Sequence, residues 1–198
     1  MRLRGLIRLP LLLLATVVAA MFAFTGSALA AAAPASNAAK VAIEGGNTAL
    51  TLDKGTAGVL TKNGVKVAPI RHATASGLTF KFPITGGKVD GKTLAGEIDH
   101  SGGIKFSAGK KSLSVQDFVI DTKAGVLTAK VTGTKTRVPL LKLNLKGASI
   151  HKSSNQVVIS NVKATLTSEA AAALNKTFNV KLFKAGLTIG VAKVTAKI

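Results

Sequence analysis

The chain reads as an all-β domain, an antiparallel β-sandwich-like fold with one short helix near its C-terminus. Three observations predict this. Apolar and polar residues alternate at period two through most of the chain from Lys40 onward, glycine-containing turn signals punctuate those runs, and one alanine-rich stretch breaks the pattern.

The alternation runs through 40–44, 48–52 and 65–70. Leu78, Phe80, Phe82 and Ile84 then alternate with Thr79, Lys81, Pro83 and Thr85, the pattern of a half-buried strand. Pro83 offers no N–H to a ladder, so this strand is expected at an edge or at a bulge. Further runs cover 93–100, 103–108, 112–121, 125–132, 156–166 and 187–197, and Leu141, Leu143 and Leu145 alternate with Lys142, Asn144 and Lys146. In 112–121 the parity changes between Leu113 and Val115 on one side and Phe118 and Ile120 on the other. A β-bulge near Gln116-Asp117 would reconcile them. Asn63-Gly64, between Val59-Leu60 and Val65-Val67, is expected to turn a hairpin, and Gly86-Gly87, Asp90-Gly91, Gly102-Gly103 and Ala124-Gly125 mark further turns. Thr167-Ser168-Glu169 followed by four alanines and Leu174 supplies a cap, a first-turn acid and good helix formers, predicting a helix at about 168–176.

The first thirty residues have the three parts of a secretory signal. Arg2, Arg4 and Arg8 form a basic n-region, an apolar run extends from Leu11 to Phe24, and Ala28-Leu29-Ala30 is an A-x-A cleavage site. The apolar run is short against the roughly 20 residues of a membrane span, and no basic cluster closes it. Residues 1–30 are therefore expected to be a cleaved signal peptide, 31–39 a flexible small-residue leader, and 40–198 a single β domain. That predicts a secreted, extracellular product, free of a membrane span and associated with the cell wall at most loosely.

Cleavage after Ala30 removes three of the 27 basic residues and leaves 24 against 8 acids, a balance of +16. There is no cysteine, so this exported domain must hold together by burial and backbone pairing alone. Arg71 and Arg137 are the arginines of the mature part; its other basic residues are lysines, scattered singly. Lysine is a hydrated point charge without the fork that reads phosphates and bases. The structural reading is a solvated outer face with protected edges; the functional reading is attraction to an anionic cell-wall polymer, or to another envelope protein. Nucleic acid is not expected, because there is no tryptophan or tyrosine for base stacking and export removes the usual opportunity.

No catalytic motif stands out, and the chain is not expected to be an enzyme. A G-x-S-x-G elbow, a calcium loop and a zinc motif are all missing. Glu97 and Asp99 share one strand face, a spacing that also suits pairing with neighbouring lysines. Histidine occurs as His72, His100 and His151. His100 follows Leu94, Gly96 and Ile98 on one face, just before a glycine turn. It reads either as a strand-end histidine satisfied by a backbone carbonyl or as a ligand or donor at the mouth of a sandwich.

The run from Gly96 through His100 to Phe106, the segment Val115–Asp121, Leu127-Thr128-Ala129, and the later Leu166-Thr167-Ser168-Glu169-Ala170 with Phe178 together resemble the HtaA-type domain. The resemblance spans roughly residues 78–190. It implies a family of exported and surface proteins of Gram-positive actinobacteria that bind haem. It also implies a tyrosine iron ligand, with a histidine at the position of His100 bonding to the phenolate. This chain has no tyrosine and lacks the tryptophan-containing opening segment. If haem binds, His100 or His72 would have to be the axial ligand, a role histidine commonly fills.

The sequence thus leads to an exported, non-catalytic binding or structural module of the cell envelope, with no cofactor expected. A haem-binding or haem-uptake protein is the second reading and an exported hydrolase the third. N-terminal sequencing of the secreted product should find Ala31 first; Met1 on an extracellular product would contradict the signal reading.

Overall fold

A computed structural model describes residues 39–134 and 136–198. The signal expected at 1–30, and the leader expected at 31–39 apart from Ala39, lie outside the described residues. Thirteen strands and two helices follow one another as β1 (Lys40–Ala42), β2 (Gly45–Leu52), α1 (Lys54–Lys62), β3 (Lys66–Ile70), β4 (Thr74–Ser76), β5 (Thr79–Asp90), β6 (Gly96–His100) and β7 (Gly103–Ala108), then β8 (Lys111–Asp121), β9 (Val126–Val131), β10 (Arg137–Asn144), β11 (Ser149–Lys152), β12 (Gln156–Leu166), α2 (Ser168–Phe178) and β13 (Thr188–Lys197).

Every pairing is antiparallel, and the sheet closes on itself. The ring runs β5-β2-β13-β12-β10-β9-β8-β6 and returns to β5. The all-β expectation with a helix near the C-terminus holds, and the facing layers are one continuous eight-stranded barrel. Strands outside the ring attach where ring strands outrun their neighbours: β1 and β4 on β5, β11 on β12, and β7 on β8 with β3 beyond it.

Long strands that change partners need parity resets. Strand β8 pairs with β7 along 111–116 and with β6 along 119–121. Between these, its register with β9 shifts from Gln116 to Val119, and Asp117 takes φ 53°. This is the expected bulge, and it points Val115, Phe118 and Ile120 all inward. Pro83 lies inside β5, opposite Asn47 and next to the shift at Ile84–Gly86, so the bulge alternative is the one realised. Gly86-Gly87 is therefore no turn; both residues belong to β5.

The hairpin expected at Asn63-Gly64 is corrected to the end of a helix. Asp53 caps α1, its Oδ1 accepting from Thr56 N at 2.8 Å, while Asn63 stops it and Gly64 turns away at φ +68°. Asn-Gly serves a helix C-terminus as well as a hairpin, because both need a left-handed residue. The short α1 buries just Thr56 and Leu60 and contains Gly55 and Gly58, so no helical stripe marks it in the sequence. Helix α2 matches its expected start, with Thr167 Oγ1 accepting from Ala170 N at 3.1 Å, and ends on left-handed Asn179. Among the described residues no helix is long and apolar enough to cross a membrane.

The barrel core is lined by inward residues of the ring, with Phe82 and Phe118 edge-to-face at 4.9 Å. Gly87 permits the closing contact: a Cβ there would lie 2.2 Å from the Glu97 carbonyl oxygen, at φ +129°. Gly87→Val should therefore lower unfolding stability by about 1–3 kcal/mol in urea titrations. Gly58, exposed in α1 with open space around it, predicts the opposite sign: Gly58→Ala should raise stability by about 0.5–1 kcal/mol.

Candidate functional site

Strand β6 places its residues by alternation. Ile98 and His100 face the barrel interior; Glu97 and Asp99 face out. Glu97 stands opposite Lys88 on one side and Asp121 on the other, the solvent-side setting expected of it. The structure thus separates the two acids from His100 by the thickness of the sheet and assembles no acid–histidine pair.

His100 is 5% exposed. Its Nε2 lies 2.7 Å from Thr48 Oγ1 and its Nδ1 3.3 Å from the Phe118 carbonyl oxygen. That oxygen can only accept, so Nδ1 carries the proton, and Nε2 is left to accept from the Thr48 hydroxyl. Burial pushes the ring's pKa down from 6.5 to about 4, with the Phe118 carbonyl pulling the other way. A neutral ring with both nitrogens occupied combines the strand-end reading with one further partner. Thr48 was not legible beforehand: 52 residues separate the pair, and nothing local to β2 marks it.

His72 is exposed in the turn between β3 and β4. The next residue, Ala73, packs against Gly102, two residues beyond His100. The two candidate histidines thus belong to one end of the barrel, one outside and one inside. Among the described residues no hydrogen bond joins them, and no group of three His, Asp or Glu side chains could hold a metal.

The outer surface is divided by charge. The acids carried by strands are Asp90, Glu97, Asp99, Asp117 and Asp121, on the last residue of β5 and on β6 and β8. Asp117 lies 3.5 Å from Lys130 and 3.8 Å from Arg71. Strands β10, β12, β13 and β2 contain no acid at all. Their outward register sets Lys163 opposite Val191, and Lys193 opposite Ala49, which in turn faces Lys81 on β5.

The interior beside Thr48 is an apolar cavity of about 110 Å³, walled by sheet residues such as Phe82, Phe118 and Val115 and by Leu60 of α1 and Leu174 of α2.

This arrangement defines a class: a closed eight-stranded barrel with a β3–β7 flap, two helices and an apolar interior. The family model described as Htaa matches residues 55–182, and the chain belongs to that family. The C-terminal domain of HtaA from Corynebacterium glutamicum is similar at TM-score 0.63 and 14% identity, covering 79% of this chain and 98% of that one. The N-terminal domain of the same protein gives 0.55 and 12%, again over 79% and 98%. The heme binding protein HtaB of that organism is similar at 0.45 and 10%, over 80% and 95%. At such identities the two likenesses to HtaA domains establish the fold alone. No curated relative matches.

The buried ring makes stability depend on pH in a stated direction. Between about 4 and 6.5 the unfolded chain takes up a proton on this histidine that the folded chain does not. The contribution of neutral His100 is therefore full above 6.5 and is lost as pH falls toward about 4, on the order of 3 kcal/mol in total. Urea midpoints from pH 7.5 to 4.5 should fall more steeply for the native chain than for His100→Gln. Parallel slopes would count against a buried neutral ring.

Proposed function

We propose that the chain is an exported, non-catalytic binding module of the cell envelope that holds an anionic wall polymer against its lysine face. The observation that carries this reading is the acid-free outer surface of β10, β12, β13 and β2, with Lys142, Lys163, Lys193 and Lys197 on it and Lys81 beside it. Strands lie about 4.8 Å apart, so Lys193 and Lys81, two strands apart in register, repeat at roughly 10 Å. With no carboxylate on the strands between Lys163, Lys193 and Lys81, their fields add, and a linear polyanion meets one sign of charge across the centre of the face. Retention on isolated cell wall should fall as salt rises. The triple variant Lys81→Gln, Lys163→Gln, Lys193→Gln should bind about tenfold more weakly, by the 1.4 kcal/mol that tenfold represents. Lys88→Gln, Lys105→Gln, Lys123→Gln removes equal charge elsewhere and should change retention little. Equal losses in both triples would refute a specific face.

Family membership supports haem binding as the second reading, since HtaA-domain relatives are haem-binding proteins. The resemblance requires a tyrosine beside the histidine; here the hydroxyl on His100 is that of Thr48, an alcohol that gives no phenolate at neutral pH. A neutral ring already bonded at both nitrogens would have to break a buried hydrogen bond to reach iron. His72, with its exposed ring, is the alternative axial ligand. Haemin titration of the mature protein is expected to give a weak, non-saturating change that His100→Ala does not alter. A tight one-to-one Soret shift lost in His100→Ala or His72→Ala would put haem carriage first.

A further inference from the structure

The polymer face uses the outside of the barrel and leaves the interior unexplained. Eight strands enclose a space that side chains just fill, or that holds one small ligand. Here they do not fill it: about 110 Å³ remains between the sheet and the two helices. Two polar side chains reach its wall, and both are committed elsewhere. The Thr48 hydroxyl bonds to His100, and the Thr56 hydroxyl donates to the Thr188 carbonyl at 2.6 Å. No buried side-chain polar atom of the described residues lacks a partner. A water needs two to four polar partners to occupy such a space, so a cavity of this lining stays dry and favours apolar guests.

The cavity also has an entrance. Val67, Phe106 and Leu113 stand side by side across β3, β7 and β8 and line it while remaining partly exposed. Val138 of β10 does the same, and Ala173 of α2, which also lines it, is exposed. Ala173 is the one exposed residue of the lining, and its side chain is a single methyl group.

We propose that this cavity binds a small uncharged hydrocarbon group, about the size of a benzene ring or the last few carbons of an apolar chain, admitted past Ala173. The size follows from the volume: a dry apolar cavity of about 150 Å³ accepts benzene, whereas enclosing a drug-sized molecule takes about 300 Å³ or more. The chemical class follows from the lining, which offers no free donor or acceptor. This site is independent of the polymer face.

Methyl-resolved NMR of the mature protein, titrated with benzene, tests it. Saturable shifts are expected at Leu60, Leu113, Val131 and Leu174, with Val191 and Ile150 on the outer surface unmoved, and the Tm should rise with benzene concentration. Phenol, of nearly the same shape, should bind at least tenfold more weakly, because its hydroxyl finds no partner inside. Ala173→Phe should slow benzene exchange by narrowing the entrance, while Val138→Phe and Leu113→Phe should each weaken binding at least tenfold by filling the cavity; either filling variant suffices if the other misfolds. Non-saturating shifts, shifts of equal size at Val191 and Ile150, or binding undiminished in a folded cavity-filling variant would overturn the proposal.

Discussion

Closure of the sheet through β6 is the constraint on which the rest of the molecule depends. This five-residue strand joins β5 on one side, along 84–89, and β8 on the other, along 119–121. Without it, two long strands would present open edges, the liability that barrels remove. The join is tight. A Cβ at Gly96 would lie 2.1 Å from the Lys88 carbonyl oxygen, so the backbone there approaches as closely as it does because one side chain is missing. Ile98 and His100, the inward residues of this short stave, then define one wall of the interior.

His100 is the price of that placement in an otherwise apolar wall. Its two hydrogen bonds run to either side around the barrel, one to β2 beyond β5 and one to the neighbouring β8, so a single ring ties three strands together. Such a bond adds little net stability when made and removes much when one partner is lost, because the survivor stays buried and unsatisfied. The pair therefore acts more as a register pin than as a store of energy.

How much was legible follows from where information is local. Strands with clean alternation, such as β7, β12 and β13, are readable to within a residue or two, whereas β5 runs five residues past its expected end through Gly86-Gly87, and the β8 bulge shows as a parity change. Helix α2 was visible through its Thr167 cap and alanines. Helix α1 was not, since an Asn-Gly pair with a left-handed glycine can end a helix as well as turn a hairpin, and two buried residues make no stripe. Strands β4 and β11 are three and four residues long and wholly exposed, so they carry no pattern. Within the site, the sequence singled out His100 and its inward company. It could not give Thr48, the cavity or the segregation of acids, which all depend on strand order around the ring.

That segregation shows how one chain keeps two kinds of surface apart. In a strand, each residue's neighbour faces the opposite side, so a slip of one position would drive lysines inward and leucines out. Strand β12 faces this problem directly: Ile159 and Val162, an odd distance apart, are both buried, while Lys163 must face solvent. The register shift between Ile159 and Val162, with Asn161 at φ 60°, absorbs the mismatch. The bulges of β5, β8 and β12 thus do more than bend the sheet. They let strands of eleven or twelve residues change partners while holding one face apolar and the other charged. An apolar interior and a lysine-bearing exterior can then be set by different residues of the same strands, so changes to one need not disturb the other.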